Sequence, residues 1–514
     1  MSFSNPYNLP KLNGTNGFII HGGQSYFGSS VSITSDINGD GINDVIVSDP
    51  SSLTQKGSTY VMFGSRSTIS TDIYGLNGSN GFRIKGVSTS DNSGSSLSGA
   101  GDINGDGIDD IIIGAPGKDV SYVVFGSKST FPANFELSNI DGTNGFAIVG
   151  NNGLSGNSVS GAGDINGDGI DDIIIGTRGA PVGGYVVFGS KTIFPEHGLS
   201  FSALNGTNGF VINGIVPNGI LGSSVSGLGD INGDGIDDVI IRAIGDDTVQ
   251  STSYVVFGNT SFSAMFDLST LDGNNGFIIK GLSNSDKLVS ENGAGDINSD
   301  GINDIIIGGF NSSALMGASY VIFGSNTTFP SVFNIYSLNG TNGFTMHGVA
   351  DGDQFGFSVS SAGDVNDDNI DDIIIGAPGA NNNYIIFGKS VFPSVIKPSE
   401  LNGTDGFILN GYYRDIGGKV TCSAGYSVNG AGDVNGDGIG DLVVGAPGCT
   451  ASVSYVVFGP LVLPSHSPIP SPSNDYAASN INIPNSLLSS IYNLATEIEE
   501  TLFTYDYASI LDSL

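Results

Sequence analysis

Basic residues are scarce: 16 Lys and Arg stand against 50 Asp and Glu in 514 residues, a formal charge of −34. Nucleic acid needs a basic surface to neutralise its phosphates, so that partner is excluded, and so is a polybasic contact with a membrane. No apolar run reaches 18 residues, so no segment is expected to span a bilayer as a helix. The opening residues Met1-Ser2-Phe3-Ser4-Asn5-Pro6 show neither a basic region nor an apolar core, so no secretory signal is visible. Cysteines number two and histidines four. Before about residue 460 nothing shows a helical period of useful length. A charge this negative opposes a compact fold unless something cationic relieves it.

What the chain has in abundance is glycine, 80 residues, and one recurring word. The word reads DINGDGIND from Asp36, DINGDGIDD from Asp102, Asp164 and Asp230, DINSDGIND from Asp296, DVNDDNIDD from Asp364 and DVNGDGIGD from Asp433. Successive copies start 62 to 69 residues apart. Each is preceded by small residues, such as Ser158-Val159-Ser160-Gly161-Ala162-Gly163, and followed by an apolar run such as Ile111-Ile112-Ile113. Then come a run like Tyr122-Val123-Val124-Phe125 and, behind an NGTNG-like turn, one like Gly145-Phe146-Ala147-Ile148. Short β-branched and aromatic runs punctuated by Gly, Asn and Pro read as four strands per unit, named A to D here. Seven such units predict an all-β, seven-bladed propeller of four-stranded antiparallel blades. A linear solenoid is the rival, but it needs capping units, and none is visible. Small residues suit strand A at the crowded axis. The apolar runs of strand B suit burial on both faces. The chain begins with a D-type strand, Gly17-Phe18-Ile19-Ile20, and its last strand, Tyr455-Val456-Val457-Phe458, is C-type. Residues 12–24 are therefore expected to close the seventh blade of a domain covering 1–463, which removes an exposed edge.

Within each word, oxygens fall at alternate positions 1, 3, 5, 7 and 9, the seventh being a backbone carbonyl. The predicted ligands are Asp36, Asn38, Asp40, Ile42 and Asp44, then Asp102, Asn104, Asp106, Ile108 and Asp110. The third and fourth units give Asp164, Asn166, Asp168, Ile170 and Asp172, and Asp230, Asn232, Asp234, Ile236 and Asp238. The fifth gives Asp296, Asn298, Asp300, Ile302 and Asp304. The sixth and seventh give Asp364, Asn366, Asp368, Ile370 and Asp372, and Asp433, Asn435, Asp437, Ile439 and Asp441. Hard oxygens at this spacing suit Ca²⁺, up to seven ions, one per blade. An EF-hand shares the opening but needs a Glu at position 12, where this chain has apolar residues such as Ile113. A single copy would pass for a turn between strands; seven copies keeping Asp at 1, 5 and 9 and Asn at 3 do not. The sixth departs most, with Asp367 at position 4 and Asn369 in place of glycine, and Asn tolerates the left-handed conformation. Seven ions would reduce the net charge from −34 to −20.

These residues resemble the FG-GAP repeat family, the propeller of integrin α subunits. The fullest match has Phe355-Gly356 before the sixth loop and Gly376-Ala377-Pro378 after strand B; Phe27-Gly28, Gly114-Ala115-Pro116 and Gly445-Ala446-Pro447 keep parts of it. Units three to five depart, with Gly176-Thr177-Arg178, Arg242-Ala243-Ile244 and Gly308-Gly309-Phe310. The resemblance covers about residues 12–459 and speaks to fold and metal more than to function, because sites are grafted onto folds.

Other constellations carry no chemistry. Asp91-Asn92-Ser93-Gly94-Ser95 matches the DxSxS adhesion-metal pattern, yet aligned on the repeat it equals Asp353-Gln354-Phe355-Gly356-Phe357, a plain D–A loop. His21 and His347 share a tolerated slot after strand D, and His197 and His466 lie in a connector and the tail. No nucleophile elbow in a strand–helix context appears, so no enzyme is expected. Asn13, Asn77, Asn205, Asn339 and Asn402 open Asn-Gly-Thr/Ser acceptor sequences in turns that need Asn-Gly anyway.

Cys422 in the D–A loop and Cys449 in the B–C loop of the seventh unit leave one end of that blade, which suggests a disulfide and an oxidising compartment. After Gly459 the repeat stops: 464–483 read as a Pro/Ser linker. In 484–514, Leu487, Ile491, Leu494, Ile498, Leu502 and Tyr505 form one apolar helical face, a short helical tail that could pack on the propeller, self-associate or serve export. A–B loops and C–D turns share one propeller face and are nearly alike in every unit; the B–C and D–A loops on the other face vary. Compare Gly179-Ala180-Pro181-Val182-Gly183-Gly184 with Gly245-Asp246-Asp247-Thr248-Val249-Gln250. Variable loops on a rigid scaffold suit recognition, and Tyr412, Tyr413 and Arg414 are the candidate anchors for a protein or glycan. The expectation is an extracellular or surface adhesion module; a matrix component without specific ligand and a hydrolase with an unrecognised site are the alternatives.

Overall fold

The computed structural model describes residues 6–460, apart from 24–25, 152, 179–182, 196–197, 215–219, 245–250, 281–285, 312–315, 412–413, 416–417, 420–421 and 449–451. The chain divides into two compact units, Met1–Pro464 and Ser465–Leu514. The linker and the helix expected over 484–514 lie outside the described residues.

The first unit is a seven-bladed β-propeller. Blade 2 shows the plan: strand A is Ser96–Gly101, B Asp110–Ala115, C Val120–Val124 and D Gly145–Val149. Each pairs antiparallel with the next. Strand B is buried along its whole length, and the two-residue side-chain period explains why it is apolar throughout. Ile112 joins Ile173 and Ile175 of blade 3, while Ile111 and Ile113 join Ile46 and Val61 of blade 1. Both faces of a blade are thus interior, and the uninterrupted run is what a strand buried on two faces requires. The A strands of all seven blades line an axial channel of about 260 Å³. Ser and Asn side chains tie its wall together: Ser226 Oγ donates to Asn292 Oδ1 at 2.9 Å, and Asn429 Oδ1 accepts from Ile33 N–H at 2.9 Å.

Six of the seven sheets hold one strand more than the four-stranded meander expected from the repeat. Asn134–Glu136, inside the C–D connector of blade 2, lies parallel to strand D of blade 1 (Gly81–Lys85), with Phe135 opposite Ile84. The same connector lays Phe131 flat on Phe82, centroids 4.2 Å apart and planes within 3°. The stack recurs as Phe194 on Phe146, Phe262 on Phe210, Phe329 on Phe277 and Phe392 on Phe344. From blade 2 to blade 6, each connector therefore straps its blade to the one before.

The ring's ends use the same parts. Gly17–His21 pairs antiparallel with Val453–Val457, strand C of blade 7, placing Ile19 opposite Tyr455. Just upstream, Tyr7–Asn8 runs parallel to Gly406–Asn410, strand D of blade 6. One N-terminal segment supplies the outer strand of blade 7 and the fifth strand of blade 6.

Candidate metal loops and the blade junctions

All seven recurring words are A–B loops with one hydrogen-bond plan. The carboxylate at position 1 accepts the N–H groups of positions 5 and 6: Asp102 takes Asp106 N–H at 2.9 Å and Gly107 N–H at 2.7 Å. The carboxylate at position 5 accepts the N–H of position 7, as Asp106 does from Ile108 at 3.0 Å. Position 9 is buried and ties two segments. Asp110 accepts from Ile103 N–H at 3.1 Å and from Gly126 N–H, just past strand C, at 2.8 Å. The sixth loop closes in the same way despite its altered sequence. Asn369 sits at φ 65°, and its N–H reaches Asp364 Oδ2 at 2.7 Å. This is the left-handed position that glycine fills elsewhere, as Gly107 does at φ 86°.

Burial pushes the position-9 carboxyls far above the usual carboxylate range. Asp110, Asp172, Asp238, Asp304, Asp372 and Asp441 rise to about 8, and Asp44 rises well above its ordinary value. Burial comes first, the glycine N–H opposes it, and the charges at positions 1 and 5 reinforce it. The five predicted oxygens of each loop, one of them a carboxylate whose charge burial disfavours, have the hard chemistry that a divalent cation takes. At position 3, Asn366 Oδ1 of the sixth loop is a buried oxygen without a hydrogen-bond partner among the described residues. Asn104 and Asn166 instead turn Nδ2 toward the position-9 carboxylate, 3.4 and 3.1 Å from its nearer oxygen, and an amide can offer either end to one place. Among the described residues no three acidic, His or Cys side chains are drawn close enough to hold a metal by themselves. The predicted ligands are brought together loop by loop, but not closed into a cage.

Two features of the loops were missed by reading each word alone. The first is position 8. Asp109 of blade 2 accepts the N–H of Asp36, position 1 of blade 1, at 3.0 Å. Asp171, Asp237 and Asp371 do the same for Asp102, Asp164 and Asp296 at 2.8 to 2.9 Å, and Asn43 does it for Asp433 at 3.0 Å. A glycine before six of the words makes room, as at Gly163, where a Cβ at φ 65° would lie 2.0 Å from Asp237 Oδ2; before the first word the residue is Ser35. At the blade 4/5 junction Asn303 turns its Nδ2 to the Leu228 carbonyl instead, at 3.5 Å. At the 6/7 junction the residue is Gly440, leaving only its N–H bond to the Asp364 carbonyl at 3.0 Å. The signal was the Asp, Asn or Gly at position 8, polar in six units.

The second is the packing of strand B on the next blade. At five junctions a strand-B glycine abuts a glycine at the start of the next strand A or just ahead of it. A Cβ on Gly114, Gly176, Gly308, Gly376 or Gly445 would lie 1.9 to 2.2 Å from the carbonyl of Gly156, Gly222, Gly356, Gly425 or Gly28. At the 4/5 junction Arg242 and Leu288 take these places, and Glu291 replaces the Val or Leu of the other A strands. Arg242 is buried; its Nη1 donates to the Leu288 carbonyl at 2.6 Å and its Nε to Ser223 Oγ at 3.0 Å. Glu291 Oε1 lies 3.9 Å from Arg242 Nε and accepts from Ser253 Oγ at 3.0 Å. Burial lowers the Arg242 pKa, and Glu291 opposes that shift.

Of the remaining sequence candidates, Asp91 and Asp353 each fold a D–A loop back on itself, accepting from Ser88 and Ala350 N–H. His21 and His347 are exposed at the ends of D strands. In the five Asn-Gly-Thr/Ser turns the Asn Oδ1 accepts from the N–H two residues on, and Asp141 does the same in blade 2. Cys422 is buried and disulfide-bonded; Cys449, the chain's other cysteine, lies outside the described residues. Tyr412 and Tyr413 also lie outside them, while Arg414 belongs to a two-residue strand paired with Gly418–Lys419.

Comparison with known proteins agrees with this architecture. The FG-GAP repeat model matches residues 27–62, 93–128, 355–387 and 424–457. Among curated proteins, integrin alpha-2 of Mus musculus is 42% identical over 100 residues, covering 19% of this chain and 8% of that protein. Integrin alpha-PS5 of Drosophila melanogaster is 32% identical over 167 residues, covering 32% and 15%. The matched stretch is thus a small part of each relative's length. Among solved structures, AofleA from Arthrobotrys oligospora aligns over 81% of this chain and 99% of its own at 8% identity, with a TM-score of 0.36. The four matched segments run from just ahead of strand A through strand C of blades 1, 2, 6 and 7, and the chain is a β-propeller similar in these FG-GAP repeats to integrin α chains.

Proposed function

We propose that the propeller is a calcium-stabilised ligand-binding module that works outside the cell or at its surface. On this reading it grips a protein or glycan through the face opposite the metal loops, and it binds rather than catalyses. The observation that carries this is the contrast between its faces. The A–B loops repeat one geometry seven times. The B–C loops facing the other way differ from blade to blade: a helical turn Ser52–Gln55 in blade 1, a 3₁₀ turn Pro116–Lys118 in blade 2, strand extended as far as Asn311 in blade 5. A scaffold held constant beneath varied loops is how recognition surfaces are built. Likeness to integrin α chains supports the same reading. The carboxyls pushed up to about 8 all belong to the metal loops, which supports cation holding rather than proton transfer.

Calcium, when bound, would supply the positive charge these carboxylates need; Asp, Asn and backbone oxygens at positions 1, 3, 5, 7 and 9 would hold it. Among the described residues no helix is long and apolar enough to cross a membrane. The test is solid-phase binding to cell-surface fractions in calcium. A Tyr412→Ala/Tyr413→Ala/Arg414→Ala variant should lose binding, whereas Asn77→Ala/Asn339→Ala in the opposite turns should keep it. Loss confined to the turn variant, both being folded, would move recognition to the metal face. No binding to any fraction would favour a matrix role.

A further inference from the structure

The metal loops are not independent of one another. Position 8 lies between the two ligand positions 7 and 9 of its own loop, and its side chain holds the backbone of position 1 in the loop before. Asp109 belongs to the second loop but grips Asp36 N–H of the first at 3.0 Å. Asp171 grips Asp102, Asp237 grips Asp164, Asp371 grips Asp296, and Asn43 grips Asp433 across the ring's closure. Backbone bonds run alongside some of these, from Asn43 N–H to the Asp433 carbonyl at 3.0 Å and from Asp237 N–H to the Asp164 carbonyl at 3.4 Å.

We propose that position 8 is a positioning residue that couples neighbouring calcium loops, so that filling one loop tightens the loop before it; this rests on the calcium reading above. A cation held by positions 7 and 9 fixes the backbone on both sides of position 8. The position-8 oxygen is then held where the position-1 N–H of the neighbour needs it, and that neighbour's first ligand is set in advance. Part of the cost of ordering the second site is thereby removed by the first, and the coupling is reciprocal. The charge is not essential, because Asn43 makes the same bond as the aspartates do. Coupling passes across five junctions and weakens at two, 4/5 and 6/7, where Asn303 points elsewhere and Gly440 has no side chain.

The experiment is calcium titration by calorimetry, with melts in chelator as the control for folding, on the whole chain. Asp109→Ala should weaken one site about five-fold or more, and Asp109→Asn should restore it. Asp36→Ala, which removes a ligand of the first loop, should abolish the further effect of Asp109→Ala. A merely structural role would lower the melting temperature without that dependence on Asp36. Gly440→Asp tests the idea by gain. Gly440 lies outside the left-handed region, and a Cβ there would approach the backbone carbonyls of Asp364 and Ala362 at 3.1 and 3.2 Å, a tight fit for which they must give by a few tenths of an ångström. It should tighten the sixth site and steepen the titration. Additive effects of Asp36→Ala and Asp109→Ala overturn the coupling, and so does an unchanged titration in both Asp109→Ala and Gly440→Asp. A wild-type chain that takes up no calcium at all overturns instead the calcium reading on which it stands.

Discussion

Five junctions of the ring are closed by glycine against glycine, and one is closed by an ion pair. Where Gly376 faces Gly425, the backbones touch and no side chain fits between; a Cβ would fall 2.2 Å from the Gly425 carbonyl. Where Arg242 faces Leu288, the guanidinium fills the gap and caps the Leu288 carbonyl, and Glu291 answers its charge. The difference shows that the fold requires a filled junction rather than glycine as such. It also shows that leaving the glycine solution takes three linked changes. Arg242 alone would bury an unpaired charge, and Glu291 alone would do the same.

The largest expected effect sets the uniform loops against that exceptional junction. In chelator, the position-9 carboxyls, raised to about 8 in the folded protein, favour the native state while protonated. Their contribution is full below the ordinary carboxylate pKa of about 4 and is lost as pH climbs through about 8. Melts without calcium should therefore fall steadily from pH 5 to pH 8, and calcium should flatten the fall. A chelated protein that gains stability over this range would show that the loops do not govern it. Next in size is Glu291→Ala, which strands Arg242 in the interior. It should cost about 3–5 kcal/mol, read by denaturant unfolding at fixed calcium. Gly376→Ala, which forces two backbones apart at a glycine junction, should cost about 1–3 kcal/mol. Smallest is the triple change Arg242→Gly/Leu288→Gly/Glu291→Val, which rebuilds the common junction. It should leave stability unchanged or raise it by about 1 kcal/mol. A loss as large as that of Glu291→Ala would mean that the surroundings of blade 4 have adapted to the charges.

The blades and loops were legible because both are local and repeated. Strand B announces burial on two faces within six residues, and the loop carries its ligands within nine. Position 8 stood in plain view, but the group it holds belongs to a loop 69 to 75 residues away in sequence, or 390 across the ring's closure. Nothing nearby tells Asp171 from a solvated turn residue. Arg242 and Glu291 could be seen to break the repeat; that they break it at one place follows only once strand A of blade 5 is laid on strand B of blade 4. The fifth strands were hidden for another reason. Segments of two or three residues, such as Leu199–Ser200, are too short for an alternation to register, and their pairing partner is contributed by another blade.

The N-terminal segment imposes an order on biosynthesis. Ile19 must wait for Tyr455, and Tyr7 for Leu409, before either has a partner. At roughly 5–20 residues per second that interval is on the order of 20–90 s on the ribosome. Through it the N-terminal segment keeps its own rows of N–H and C=O groups bare. An emerging chain therefore stays dependent on whatever shields it until its seventh repeat has been made, and a ribosome that stops short of that repeat releases a product with no means of closing its own ring.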